Sequence, residues 1–249
     1  MKETIDIISN HRSIRKFKNK NVQPEKIKII IEAAMQASTS SYVMAYSVIS
    51  VTDPQLKRDL KEISGQEYVA ENGHFLVFCA DLNRIASQAS HEELKEMEKS
   101  LQSTEQFIVA TVDTALVAQN TVIAAESIGL GVCFIGSLRN DIQQVNNLLK
   151  LPEYVVPLFG MALGYPDEQP EKKPRLPIEV VLHENTYQQY DESKQQKIDA
   201  FNQQLNNYYQ TRTENKRTDS WSDQMIRKYK KAIRMEVTDF VKDKKLNRL

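Results

Sequence analysis

Most of the chain's clustered hydrogen-bond donors lie in short irregular stretches. The first stretch is "HRSIRKF", residues 11–17, where His11, Arg12, Ser13, Arg15 and Lys16 stand together with no acid among them. Arg12 and Arg15 are three apart, so on a helical turn both would lie on one face. Many donors with few competing acids suit a phosphate or another electron-rich group. Basic residues after a helix also complement its dipole with no ligand at all. A second stretch holds Lys172, Lys173 and Arg175, stiffened by Pro174. The third is Ser38, Thr39, Ser40 and Ser41 followed by Tyr42, where hydroxyls can cap, turn or line the polar edge of a ligand. The fourth has Arg212, Lys216 and Arg217, with Lys231 and Arg234 further on. All four fall at the ends of elements, where ligand sites gather.

Other chemistries lack their residues. His11, His74, His91 and His183 are scattered, with no second ligand at helical spacing, so no metal site is expected. Gly129, Gly131 and Gly136 have the wrong spacing for a dinucleotide fingerprint, and neither a P-loop nor a nucleophile elbow is present. Cys79 and Cys133 sit in apolar runs and share no C-x-x-C, which fits buried thiols in a reducing cytoplasm.

The formal net charge of zero hides an asymmetry. Residues 206–249 hold 12 of the 33 basic and 6 of the 33 acidic residues, a net of +6, and the remainder carries −6. A basic segment on an acidic body suits an anionic ligand, a nucleic acid or an acidic surface, and a solvated, self-complementing surface accounts for it equally. The tyrosines and the tryptophan of the tail fall at helical spacing, as packing residues do, which argues against a base-stacking platform and a nucleic-acid partner. The longest apolar segment, 107–128, is interrupted by Asp113, Asn120 and Glu126, so no membrane span is expected.

These residues need elements to position them. Helical spacing predicts short helices over 4–10 and from Pro24 to about Ala37. "YSVISVTD" alternates as a strand, and Asp53 with Pro54 opens a helix. "HFLVFCAD" reads as a buried strand. Ser103–Ile128 reads as a helix apolar on most faces, closed by Gly129. Such a helix must be covered on nearly all sides, as the centre of a large core or the seam of a dimer. "GVCFIG" and "VVPLFGMALGYP" are two more buried strands, separated by a helix from Asp141 to Leu149. After Pro166 comes a Pro-rich charged stretch that reads as a loop leaving the body. The tail, 187–249, carries two amphipathic stretches, the first marked by Ile198, Phe201, Leu205 and Tyr208. The class is α+β or α/β.

Taken together, "HRSIRKF", "ASTSSY", "SGQEYV", "FCADLNR", "AQNTVIAAESIGLGVCFIGSLRN", "VPLFGMALGYP", "KPRLP", "HENTY" and "TRTENKRTDSWSD" occur in an order that resembles the flavin-dependent nitroreductase family. The likeness is to the NADPH-preferring branch of nitroreductases and NADPH-flavin oxidoreductases, and it covers essentially the whole chain. It implies an α+β fold with a central, mostly antiparallel sheet flanked by helices. It also implies one FMN-binding domain over 1–249, with 167–249 as an extended arm and excursion, and an intertwined homodimer seamed by the helix at 103–128. The partners implied are a second copy and small molecules, with neither nucleic acid nor membrane.

The resemblance also implies roles. His11, Arg12 and Ser13 bind the FMN phosphate and ribityl chain, and Lys173 and Arg175 complete the phosphate site. Arg15 lies along the pyrimidine side, where a cation offsets the negative charge the ring gains on reduction. Ser38, Thr39, Ser40 and Gln66 serve the ring edge. Phe134, Ile135, Gly136 and Ser137 pass along the ring, and Ser137 stands where the family often has a second glycine. Ser41 and Tyr42 edge the open face where substrates stack. Arg212 and Arg217, with Lys231 and Arg234, would hold NADPH through its 2′-phosphate. The activity implied is hydride transfer from NADPH through FMN to flat, electron-poor acceptors such as nitroaromatics, free flavins and quinones, by a ping-pong scheme with no protein nucleophile and no metal. A disulfide, a metal or oxygen as acceptor, or a non-catalytic flavin- or nucleotide-binding protein, are the alternatives.

Overall fold

The structure is a computed structural model that describes residues 3–212 and 217–249. Lys216 of the fourth basic stretch lies outside the described residues. The chain forms two compact units. One runs to Gln169 and takes in Arg234–Leu249, and the other is Pro170–Ile233.

The first unit is built on a four-stranded sheet. In chain order its elements are α1 (Thr4–Ser9), α2 (Pro24–Ala34), β1 (Tyr46–Val51), α3 (Pro54–Ser64), β2 (His74–Asp81), α4 (Asn83–Ala86), α5 (His91–Leu101), α6 (Thr104–Ser127), β3 (Gly131–Ile135), α7 (Ile142–Leu149) and β4 (Val155–Gly164). The second unit holds α8 (Ile178–Val181), α9 (Glu192–Arg212) and α10 (Trp221–Tyr229). α11 (Glu236–Asp243) belongs to the first unit again. The sheet order is β1-β2-β4-β3 and every pairing is antiparallel. Pro157 has no N–H to give to the ladder of this central strand, and a bulge opposite Phe78 and Cys79 absorbs the irregularity.

Strand periodicity explains why both faces are covered. On β2, Leu76 and Phe78 face α2 and α6 together with Met161 and Leu163 of β4. Phe75, Val77 and Cys79 point the other way, among Leu60, Ile135, Leu138, Val145 and Ala162. Every residue of β2 is buried, as its uninterrupted apolar run requires. A third cluster closes one end, where Phe240, Val241 and Leu246 pack on Leu82, Leu101 and Ala110.

The helices begin and end where local chemistry directs. The Asp53 carboxylate accepts from the amides of Gln55 and Leu56 at the start of α3. Asp141 does the same for Gln144 in α7. Gly129, at φ +82°, carries the chain out of α6 in a left-handed turn. α5 was not anticipated, although Ser90 and Glu93 form a capping box whose S-x-x-E spacing stands in the sequence. The tail forms three helices, not two. The third, α11, holds Phe240 and Val241 in the core of the first unit.

Among the described residues, α6 alone is long and apolar enough to cross a membrane. Here it packs on α2, β1, β2 and β3. Its face carrying Val117, Ala118 and Val122 is buried, while Ile108, Val112 and Leu116 are 50%, 44% and 41% exposed. The expectation of cover on nearly all sides is therefore met on one side by a single chain.

His74 is buried at the start of β2, its Nε2 2.8 Å from the Ser50 hydroxyl. Burial, with Lys57 adding to it, lowers its pKa to about 4. The unfolded imidazole takes up its proton near pH 6.5 and the folded one resists doing so. Stability is therefore full above about pH 6.5 and declines as pH falls toward 4. Urea midpoints across that window should drop with acid in the parent protein and drop less in His74→Gln.

Candidate functional site

The segment after α1 is not a helical turn. Ile14 donates its N–H to the Val132 carbonyl at 2.9 Å, Ser13 bridges Val132 in parallel, and Phe17 bridges Pro166. The backbone bonds offered by the edge strand β3 and the end of β4 outcompete the helix, so Arg12 and Arg15 do not share a helical face. Arg12 is half-buried and Arg15 exposed.

The extended segment sets the basic residues in distinct surroundings. His11 Nδ1 lies 2.7 Å from Glu126 Oε1, near the C-terminal end of α6. Arg12 lines an open cleft of about 630 Å³ with Glu126, Gly131 and Pro166, and its Nε is buried without an acceptor among the described residues. A buried donor left without a partner costs about 1–3 kcal/mol, so this N–H invites an acceptor from a ligand. The Arg15 and Lys16 amides both bond Glu168, at 2.5 and 3.1 Å. The Arg15 side chain reaches the Tyr68 phenol and lies near Cys133. Burial raises the Tyr68 phenol, with Cys133 adding and Arg15 opposing.

Hydroxyls and backbone complete this unit's contribution. Gly65 ends α3 at φ +65° and turns Gln66 out half-exposed. Phe134 is the one exposed residue of β3, 39% accessible, with its ring edge-on to Phe159 at 5.4 Å. Ile135 is buried, and Gly136 and Ser137 start a 3-10 turn. Ser137 is not among the left-handed residues, so its backbone shape does not demand the glycine that the family often has there.

Ser38 to Tyr42 form the loop after α2. Ser41, Tyr42 and Met44 all take left-handed backbone, at φ 48°, 60° and 52°, with no glycine to ease it. Each such residue costs about 1–2 kcal/mol relative to a right-handed one. Asp113, fully buried on α6, accepts the Ser40 and Ala45 amides at 2.9 and 3.1 Å.

In the second unit Lys173, Arg212 and Arg217 lie against aromatic faces. The Arg217 guanidinium lies 3.9 Å from the ring centroid of Tyr209 and pairs with Asp219 at 3.1 Å. Arg212 donates to the Tyr208 hydroxyl at 2.8 Å. Lys173 lies 5.4 Å from the Tyr209 ring and hydrogen-bonds its phenol. Burial alone would raise the Tyr209 phenol, but Lys173 and then Arg217 outweigh it and lower it. Exposed Arg175 touches the Lys173 carbonyl, and Lys231 is exposed. Arg234 falls in the first unit, where it donates two hydrogen bonds to Asn140 Oδ1 at 2.8 and 3.0 Å.

Sequence reasoning missed the acids that orient these donors. Asp113 and Glu126 stand out as charges in an otherwise apolar helix, but the sequence alone gives them no partner. Tyr68, Tyr209 and Asp219 carried no signal beyond composition. Among the described residues no cluster of metal-ligating side chains occurs.

Comparison with known proteins settles the class. Residues 8–165 match the nitroreductase family and residues 173–248 its C-terminal domain. The chain belongs to the nitroreductase family. It is 45% identical over 249 residues, the whole of both chains, to an FMN reductase (NADPH) of Bacillus subtilis. The solved NfrA1 nitroreductase of B. subtilis superposes with a TM-score of 0.94 at 45% identity, covering 99% of this chain and 100% of that one. An NADPH:FMN oxidoreductase from Vibrio harveyi, solved in complex with NAD+, gives 0.88 at 38% identity, with 99% of each chain covered.

Both cysteines are buried and free. Burial pushes the Cys79 thiol up to about 12 and raises Cys133, with Arg15 opposing the latter. Reactivity follows the thiolate. Ellman's reagent at pH 8 should find almost no fast thiol in the native protein and two after denaturation.

Proposed function

We propose that this chain is an FMN-dependent oxidoreductase that takes hydride from NADPH and passes it to flat, electron-poor acceptors. The observation that carries the reading is the buried, unpartnered Nε of Arg12, set in a row of cations and hydroxyls, in a chain that matches an FMN reductase end to end. The residues present fit FMN. A phosphate supplies the acceptors that Arg12 lacks, and exposed Phe134 offers an apolar shelf beside hydrogen-bonding groups.

FMN, when bound, supplies acceptance of a hydride and its delivery to a second substrate. His11, Arg12 and Ser13, with Lys173 and Arg175, bind the phosphate and ribityl chain. Glu126 holds the His11 ring through Nδ1, which fixes where the other ring nitrogen points. Arg15 neutralises charge along the pyrimidine edge. Ser38, Thr39, Ser40 and Gln66 orient the ring, and Phe134 to Ser137 line it. Ser41 and Tyr42 edge the face where NADPH and then the acceptor bind in turn, so the two substrates exchange by a ping-pong sequence.

Arg212 and Arg217 recognise the 2′-phosphate, helped by Lys231 and Arg234. The Arg217 guanidinium is held in plane by the Tyr209 ring and by Asp219, a planar fork whose chemistry suits a phosphate. The Ile108, Val112 and Leu116 stripe is covered by a second copy, which makes the working unit a homodimer. Residues 1–249 act as one functional domain, with 167–249 as arm and excursion. Dependence on NADPH and two buried reduced thiols suit the cytoplasm.

Arg15→Ala should weaken FMN retention about tenfold or more, measured as flavin released on dilution and ultrafiltration. Unchanged retention and turnover would remove the charge from the account. Arg217→Ala should raise the apparent KM for NADPH roughly 10- to 100-fold and leave that for NADH within about 3-fold. Equal effects on both coenzymes would take Arg217 out of the 2′-phosphate site.

A further inference from the structure

The loop between α2 and β1 is shaped from outside itself. Three of four consecutive positions, Ser41, Tyr42 and Met44, are left-handed without glycine. Such residues normally occur singly, and runs of them persist only where the surroundings impose them. The side chains of Ser41 and Tyr42 do not impose it, since Ser41 is exposed and Tyr42 is 81% exposed, while Val43 and Met44 anchor the loop's end on the core.

Two side chains from other elements hold it. Asp113 comes from the middle of α6 and is completely buried. Its two oxygens accept the amides of Ser40 at 2.9 Å and Ala45 at 3.1 Å, which bracket the left-handed residues on both sides. Arg84, on the short helix α4, grips the opposite polarity. It donates to the carbonyls of Met44 and Tyr46 at 2.9 Å each and to the Ser47 hydroxyl at 3.1 Å, with Asp81 at 3.7 Å behind it. An anion on the N–H groups and a cation on the C=O groups form a clamp in which backbone and ion satisfy one another. A buried carboxylate with good donors is costly to replace, and an amide cannot substitute for it. The Nδ2 of asparagine would face a backbone N–H donor to donor.

We infer that Asp113 and Arg84 are positioning residues for the oxidative half-reaction: they hold Ser41 and Tyr42 as a pre-formed edge that orients a flat, uncharged aromatic acceptor. The inference rests on the functional reading above and extends it to two residues outside the flavin contacts. The choice of half-reaction follows from chemistry. NADPH carries phosphates and can be gripped by cations elsewhere in the chain. A quinone or nitroarene has only its face and one or two polar atoms, so its orientation depends on a rigid edge. A loop ordered in advance spares the acceptor that ordering cost, and a loosened loop charges it to the acceptor. Strain kept at exposed residues on the substrate side, and maintained by a buried carboxylate and a half-exposed guanidinium, is where such pre-organisation is found.

The test uses the flavin-loaded protein and Asp113→Asn, with two readouts. Hydrogen exchange followed by mass spectrometry reports peptides covering 38–45 and requires no activity. Steady-state kinetics gives kcat/KM for NADPH and for menadione separately, which a ping-pong scheme permits. Exchange in 38–45 should accelerate about tenfold or more. kcat/KM for menadione should fall about tenfold while that for NADPH stays within about twofold. Unchanged exchange would overturn the clamp. Faster exchange with both kcat/KM values falling together, or neither falling, would overturn the positioning role and leave only a structural one. If Asp113→Asn does not fold, Arg84→Gln is decisive by the same two readings, because its side chain is 55% exposed and its removal leaves the core intact. A parent protein that binds no flavin and oxidises no NADPH would refute the functional reading and this inference with it, and that outcome is visible before any variant is made.

Discussion

Helix α6 constrains more of this molecule than any other element. Its 24 residues are apolar around most of the circumference, and one chain can cover only part of that surface. The covered part lies against the sheet and α2, and the stripe of Ile108, Val112 and Leu116 is left to water. Burying the exposed half of such side chains is worth about 1 kcal/mol each, which favours the proposed homodimer. Beyond its first turn the same helix carries two acids where an apolar helix would ordinarily carry none. Glu126, near its end, holds His11, and Asp113, in its middle, holds the loop after α2. Two edges of the proposed flavin site are thus hung from one rigid rod, which the sheet supports from behind.

The two units solve the problem of holding cations in different ways. In the first, backbone pairing with β3 and β4 stretches the HRSIR segment so that its side chains leave the chain at separate points. In the second, ring faces carry the charge. Tyr208 and Tyr209, adjacent on α9 and buried, receive Arg212 and Arg217, while Asp219 accepts from both Arg217 and Arg227. An aromatic face fixes the plane of a guanidinium, which suits the proposed phosphate site.

Much of this was legible in the sequence because the signals were local. Alternation in "YSVISVTD", the continuous apolar run "HFLVFCAD", and caps at Asp53 and Gly129 each depend on near neighbours, and each appears where expected. The donors of the site were legible as types, since cations and hydroxyls at element ends are conspicuous. Their partners were not. Glu126 lies 115 residues from His11, Asp113 lies 73 from Ser40, and Glu168 lies 153 from Arg15, so no spacing rule reaches them. The helical reading of Arg12 and Arg15 failed for the same reason. A strand edge more than a hundred residues away offered better hydrogen bonds than a local turn. α5 is the reverse case, a local capping signal that was present and passed over.

The account stands on one claim, that these scattered cations and hydroxyls gather a flavin able to accept hydride from NADPH. The most direct measurement is an anaerobic titration of the purified protein with NADPH, following the visible flavin absorbance. A yellow protein whose colour disappears at one NADPH per bound flavin is the predicted result. A colourless protein that takes up no FMN, or a yellow one that NADPH leaves unchanged, would contradict it.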